Sequence, residues 1–376
     1  MRGVRFLQIS DIHLESPCAG LPWEKGRREL RRVLSAAIDL AEEISADLLL
    51  LPGDIYEHEN ETSGTGRLLA RELERASPTQ VLVTPGNHDF YAAGTLWQRT
   101  PWPGNVHIFR EDEIGEKDFP DLGVTIYGFG HNSTGMLPAV LQDWRAPGRG
   151  QKSILIFHGS LIGGGPTSKE VTCPFASGDI EETGVDYAAV GHYHSFAEIR
   201  SRDGRLIGAY AGCPAGRGFD EAGEKSVVLG EITDAGVTIS TRTLARYRYE
   251  RLELPLDGVT DERETEVRIR EAVRTVSADE VIRLALTGRV PTEFDQRLVS
   301  IDDATTGRPH IELEWRVEPE YDVEAIAKKG TSEGAFVREL LERMEKAPSE
   351  EDKTKLRCAM HYGLDALSGR APEQRE

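Results

Sequence analysis

The feature that most constrains this chain is the placement of its His, Asp and Asn clusters, each of which follows directly on a short apolar run of strand-forming residues. Residues 4–10 read as a buried strand ending at Asp11, residues 47–52 as one ending at Asp54, and residues 80–84 as one ending before Asn87. Residues 153–157 end at His158 in the same way, and residues 186–190 end at His192. Between the first two strands, residues 27–46 carry an apolar stripe of Leu30, Val33, Leu34, Ala37, Ile38 and Ala41, which predicts a helix and hence a right-handed β-α-β opening. An open α/β sheet with its ligand crevice at the carboxyl ends of the strands follows from this pattern. Gly53, Gly86, Gly159 and Gly191 stand beside the clusters, where a missing side chain permits tight turns and close backbone approach.

The clusters are Asp11-x-His13, GDIYE from Gly53, GNHD from Gly86, His158-Gly159 and GHYH from Gly191. Oxygen donors mixed with imidazoles suit Mn²⁺, Fe²⁺ or Zn²⁺ at a catalytic centre. An all-thiolate set would indicate structural zinc, and an all-oxygen set Mg²⁺ or Ca²⁺.

In this order the clusters resemble the signature of the calcineurin-like metallophosphoesterases. The resemblance implies a four-layer α/β/β/α sandwich and two divalent ions, expected to be Mn²⁺ with Fe²⁺ or Zn²⁺ as alternatives. Carried onto this chain, it makes Asp11, His13, Asp54 and His194 ligands of one ion, and Asn87, His158 and His192, with Asp54 as the bridge, ligands of the other. Such a pair activates a shared water and clamps the phosphoryl oxygens during in-line attack. His88 would assist the leaving oxygen, with Asp89 orienting its ring. One position departs from the pattern. Glu57 stands where Asp or a nuclease His is usual, and His58 follows it. Two readings remain for His58, a displaced nuclease histidine and, favoured, a solvated residue of an acidic loop. His107, His310 and His361 read as ordinary structural histidines, and so does His131, with lining of the cleft as its alternative.

After His194 come shorter strands, then a break at residues 255–261, a charged helix, two further strands and two amphipathic helices, the last opening on the capping pattern Ser349-x-x-Asp352. The expected division is a phosphoesterase domain over residues 1–254 and a smaller α/β cap over 255–376. The cap, the turn from Tyr210 to Lys225 and the run from Tyr362 to Leu367 resemble the SbcD-type DNA-repair exonucleases, in particular their YhaO-like branch. That resemblance implies Mn²⁺-dependent DNA exo- or endonuclease activity, an SbcC-like coiled-coil ATPase partner docking on the C-terminal helices, and a homodimer. For the apolar faces of those helices, packing within the chain is the competing reading. The alternative function is a small-molecule phosphodiesterase or phosphatase, and the least favoured a scaffold without metals.

Charge tempers the nuclease reading. The formal net charge is -19, with 25 basic against 35 acidic residues in 1–250 and 20 against 29 in 251–376, so neither part has the basic excess that grips phosphate backbones. Arg27, Arg28, Arg31 and Arg32 form a basic helical patch, read as a solvated face in preference to a DNA contact. Four scattered cysteines without C-x-x-C spacing suggest free thiols and a cytoplasmic location, and no apolar run is long enough to span a membrane. The loop Gly163-Gly164-Gly165-Pro166 reads as a surface turn or a flap over the site.

Overall fold

The computed structural model describes residues 2–148, 150–163, 171–305 and 310–369. Of the glycine-rich loop after His158, Gly163 alone is among them, and the flap reading otherwise lies outside the described residues.

Fifteen strands, numbered in chain order, form three sheets among the described residues. The first sheet contains β1 (Val4–Gln8), β2 (Leu48–Pro52), β3 (Gln80–Thr84), β4 (Val106–Ile108), β11 (Val227–Thr233) and β12 (Gly236–Arg242), in the order β12-β11-β1-β2-β3-β4. The second contains β5 (Gly115–Phe119), β6 (Val124–Gly128), β7 (Lys152–His158), β8 (Tyr187–Gly191), β9 (Ala197–Arg200) and β10 (Leu206–Tyr210), in the order β5-β6-β7-β8-β10-β9. Within the first, β1 to β4 run parallel and β11 pairs antiparallel to β1; within the second, β6, β7, β8 and β10 run parallel. The third holds β13 (Arg248–Pro255), β14 (Glu280–Val290) and β15 (Ile311–Pro319).

Side-chain alternation explains why the two large sheets stack. A strand sends successive side chains to opposite faces, so one buried on both faces must serve two cores. In β2, Leu49 and Leu51 join a core with Leu30, Val33, Leu34 and Ile38 of the helix Trp23–Glu43 and Leu69 and Leu73 of the helix Ser63–Arg75. Leu48 and Leu50 instead join Ile126, Ile154, Ile156 and Tyr187 of the second sheet. In β7, Ile154 and Ile156 face that shared core, while Leu155 and Phe157 pack outward with Ile180 of the helix Ser177–Thr183. The result is a four-layer α/β/β/α sandwich. Gln8 cross-links the layers: its amide donates to the Val190 and Ala209 carbonyls and its oxygen accepts from the Tyr187 hydroxyl.

The first helix begins at Trp23, one turn before the sequence pattern suggests, because Pro22 supplies a fixed φ without needing an N–H partner. The strand Arg248–Pro255 is absent from the sequence reading, since most of its side chains are exposed or half-exposed and give no clean alternation.

Contacts divide the chain into two compact units. One takes residues up to Arg251 together with Ser277–Arg283 and His310–Glu312; Leu252–Val276 and the greater part of the chain from Leu284 onward form the other. In the second unit the C-terminal helices Ser332–Glu345 and Glu350–Leu367 pack face to face through Val337, Leu340, Met360 and Leu364. Phe336, Leu341, Met344 and Leu356 are partly buried against them, and Leu367 is exposed. No helix among the described residues is long and apolar enough to cross a membrane. All four cysteines are free thiols, with Cys18, Cys173 and Cys213 buried and Cys358 exposed.

Candidate metal centre

The first unit brings the strand ends of both large sheets to one place. His158 and Gly191 are register partners on β7 and β8, and the His158 Nδ1–H donates to the Pro52 carbonyl at the end of β2 over 3.0 Å. The approach is close enough that a Cβ on Gly191 would run into that carbonyl oxygen. Four of the residues expected as ligands hold left-handed backbone conformations that L-residues rarely adopt: Asp11 (φ 52°), His13 (φ 48°), Asp54 (φ 54°) and His192 (φ 111°). Backbone strain of this kind concentrates where side chains must be aimed.

Donor atoms of Asp11, His13 and His194 lie within 4.8 Å of one another, as do those of Asp11, Asp54 and His158, and those of His13, Asp54 and His88. Asp54 thus belongs to two overlapping groups, with Oδ2 3.3 Å from His158 Nε2 and 3.6 Å from His13 Nε2. His192 and Asn87 stand at the margin of these groups. The His192 ring meets that of His158 edge-on at 5.1 Å, and its main-chain N–H donates to Asp11; the His88 N–H, next to Asn87, donates to Asp54 Oδ1 at 3.0 Å.

Carboxylates behind two histidines fix their tautomers. His13 Nδ1–H donates to Glu57 Oε1 at 2.6 Å, and His194 Nδ1–H donates to Glu221 Oε1 at 2.5 Å. Their Nε2 atoms are then lone-pair nitrogens, and they face each other across 3.3 Å. Two acceptors so placed repel unless a cation lies in their common field. The buried Asn87 Oδ1 has no hydrogen-bond partner, and His158 Nε2 faces Asp54 Oδ2 at 3.3 Å without a well-aligned hydrogen bond. Buried polar atoms left unpaired are costly, and these belong to residue types that bind divalent transition ions. The donor set fits such a group.

Titration tells the same story. Burial, helped by Arg217, lowers the His13 pKa to about 4, so its imidazole is neutral and able to coordinate. Burial also pushes His158 downward, but the Asp54 carboxylate outweighs it and the pKa rises to about 9, so a proton collects where positive charge is wanted. Asp54, although buried, is held well below the usual carboxylate range by His158 and His13.

His88 is held differently from the sequence expectation. Its Nδ1 bonds to Glu57 Oε2 at 3.0 Å, so Glu57 orients the ring and Asp89 does not. Asp89 is instead fully buried and accepts main-chain N–H groups of Asp54, Ile55 and Gly86, knitting the second and third clusters together. The reason is geometric: those amides engage both carboxylate oxygens and turn them toward the main chain. Hydrogen bonding to Glu57 raises the His88 pKa. His58 lies 3.4 Å from Glu61 and edge-on to Phe90, and joins none of the donor groups found among the described residues. His131 is buried behind the site, bonded to Thr172 Oγ1 at 2.8 Å and packed on the His158 ring.

Sequence reading missed Arg217 and the roles of Glu221 and Glu15. Arg217 reaches Glu221, His194, Ser16 and Glu57, and no spacing rule could reveal that from a single chain. Glu15, buried with φ 71°, binds both Arg27 and Arg31 and ties the Asp11–Ser16 loop to the first helix. Arg32 chelates Glu29 and Arg28 donates to the Glu24 carbonyl. Of the expected solvated face, Arg28 and Arg32 are exposed, while Arg27 and Arg31 are half-buried against Glu15.

The calcineurin-like phosphoesterase family profile matches residues 4–196. The chain belongs to this family. Its buried His and Asp clusters fit the two-metal site of that family. It is 28% identical over 244 residues to the metallophosphoesterase YhaO of Bacillus subtilis, a match covering 62% of this chain and 58% of that protein. It is 23% identical over 367 residues to the DNA double-strand break repair protein Mre11 of Methanopyrus kandleri, covering 87% of this chain and 76% of that one. A dimetal phosphatase from Danio rerio is 13% identical with a TM-score of 0.43, covering 64% of this chain and 96% of that one.

Proposed function

We propose that this phosphoesterase is a DNA exo- or endonuclease of the SbcD type, of the YhaO-like branch, that works in DNA repair with Mn²⁺ as its resident ion. The observation carrying the reading is that the relation to a DNA double-strand break repair protein covers 87% of this chain, well beyond the family signature. In this reading residues 1–254 are the catalytic domain and 255–376 the cap. Asp11, His13, Asp54 and His194 hold one ion, and Asn87, His158 and His192, with Asp54 shared, hold the other. When bound, the ions supply Lewis acidity and water activation for attack on the phosphodiester.

The protein's own contribution is positional. His88 is the most exposed imidazole of the cluster, its side chain 46% accessible, and Glu57 fixes it through Nδ1. That leaves Nε2 to give a proton to the departing oxygen, and the raised pKa keeps the proton available. Glu57 and Glu221 hold His13 and His194 in the coordinating tautomer. An SbcC-like coiled-coil ATPase and a second copy of the chain are the proposed partners.

A second reading, a phosphodiesterase or phosphatase for small molecules, is favoured by the net charge of -19 and by the engagement of Arg27, Arg31 and Arg32 with internal carboxylates. The deciding experiment incubates the full chain and Mn²⁺ with 5′- and 3′-labelled linear DNA, and separately with bis-(p-nitrophenyl) phosphate, beside a His88→Ala control. DNA degradation lost in the control supports the nuclease. Turnover of the small ester alone, even with the ATPase added, supports the second reading.

A further inference from the structure

Behind the metal centre lies a charged cluster that neither the family signature nor the proposed chemistry assigns. Its centre is Arg217, on the turn between β10 and β11. The guanidinium Nη2 donates to Glu221 Oε1 at 2.8 Å, the same oxygen that receives the His194 Nδ1–H. Nη1 donates to Ser16 Oγ at 3.2 Å and lies 3.7 Å from Glu57 Oε1, the oxygen that receives the His13 Nδ1–H. The Arg217 main-chain N–H donates to the other Glu221 oxygen at 2.7 Å, so backbone and side chain of one residue grip one carboxylate.

One planar cation thus joins two carboxylate–histidine pairs from distant parts of the chain, and those pairs aim Nε2 atoms at each other across 3.3 Å. The fork geometry matters, since guanidinium presents donors in fixed directions and an ammonium does not. The positive charge also offsets two carboxylates that would otherwise repel each other and compete for the ring protons. On the other side of the centre, His158 is oriented by the Pro52 carbonyl.

We propose that Arg217 is a positioning residue for a single metal subsite, the one formed by Asp11, His13 and His194 with the shared Asp54, and sets its affinity without touching the ion or the substrate. This rests on the two-ion assignment proposed above. The ligands of that subsite are then braced through a charged network centred on Arg217.

The test is Mn²⁺ titration of the EDTA-treated full chain by isothermal calorimetry and electron paramagnetic resonance, with melting of the metal-free protein alongside. Wild-type protein is expected to take two ions. Arg217→Met is expected to keep one at wild-type affinity and bind the other about 10- to 100-fold more weakly, the range seen when groups supporting a ligand are removed. Arg217→Lys should fall between them, and it decides the matter on the same criterion if Arg217→Met fails to fold. Two unchanged ions in the variants would overturn the inference, as would equal weakening of both ions with a lower melting temperature, the mark of a general structural role. Wild-type protein that takes fewer than two ions would overturn the two-ion assignment and this inference with it.

Discussion

Substituting Gly53 probes how the two sheets meet at the centre. Gly53 has φ +85°, and a Cβ there would lie 2.6 Å from His158 Nδ1 and 2.9 Å from the Gly86 backbone. Two costs follow for Gly53→Ala. An L-residue in the left-handed region costs about 1–2 kcal/mol, and forcing an extra carbon into a close-packed site costs about 1–3 kcal/mol. The nitrogen it strikes is the one bonded to the Pro52 carbonyl at 3.0 Å, so relief by ring movement breaks a buried hydrogen bond, at a cost of about 1–3 kcal/mol. Taken together, a loss of about 3–8 kcal/mol is expected, which for a unit of this size lowers Tm by about 6 °C or more. Gly204→Ala is the internal control, because Gly204 has φ +84° with nothing within 4 Å of a Cβ and should show the backbone cost alone, about 1–2 kcal/mol. Scanning calorimetry or fluorescence-monitored melting of metal-free protein makes the comparison. Equal Tm losses in the two variants would refute the argument that the sheets close on this glycine.

Two other outcomes are expected. Glu15→Gln removes the charge shared by Arg27 and Arg31 and should lower stability by about 2 kcal/mol, seen as a lower urea midpoint with an unchanged slope; an unaltered midpoint would count against the latch. In metal-free protein the folded His158 pKa of about 9 exceeds its ordinary value, so its stabilising contribution is complete below about pH 6.5 and lost as pH rises through about 9. Melting temperatures of EDTA-treated wild type should therefore fall more steeply between pH 7 and 9 than those of His158→Asn, while Mn²⁺ binding should strengthen with pH as the proton is displaced.

What could be read in the sequence was what strands impose locally. Residues 48–52 are apolar throughout, so both faces had to be buried, and whatever followed Pro52 had to emerge at the carboxyl end of that strand. The same reasoning applies at His158 and His192, and it explains why the meeting of Asp11, His13, Asp54, His158 and His194 could be anticipated. The rest depends on contacts between remote parts of the chain or on torsions. Glu221 lies 27 residues from His194, and Arg217 lies 201 residues from Ser16. The bond from His88 to Glu57 in place of Asp89 follows from the left-handed backbone at Asp54 and the amides gathered round Asp89, neither of which leaves a mark on residue order. Arg28 and Arg32 are exposed as expected, whereas Arg27 and Arg31 look solvated in sequence because their buried partner, Glu15, sits in a loop with no periodicity.

The left-handed residues of the centre set selection for catalysis against selection for durability. Asp11, His13, Asp54 and His192 each hold the chain in a twist that glycine would adopt freely, and their side chains crowd acids and imidazoles where solvent is excluded. A lineage relieved of catalysis would find that losing these residues hardens the scaffold, so inactive descendants should arise readily and outlast their active ancestors on heating.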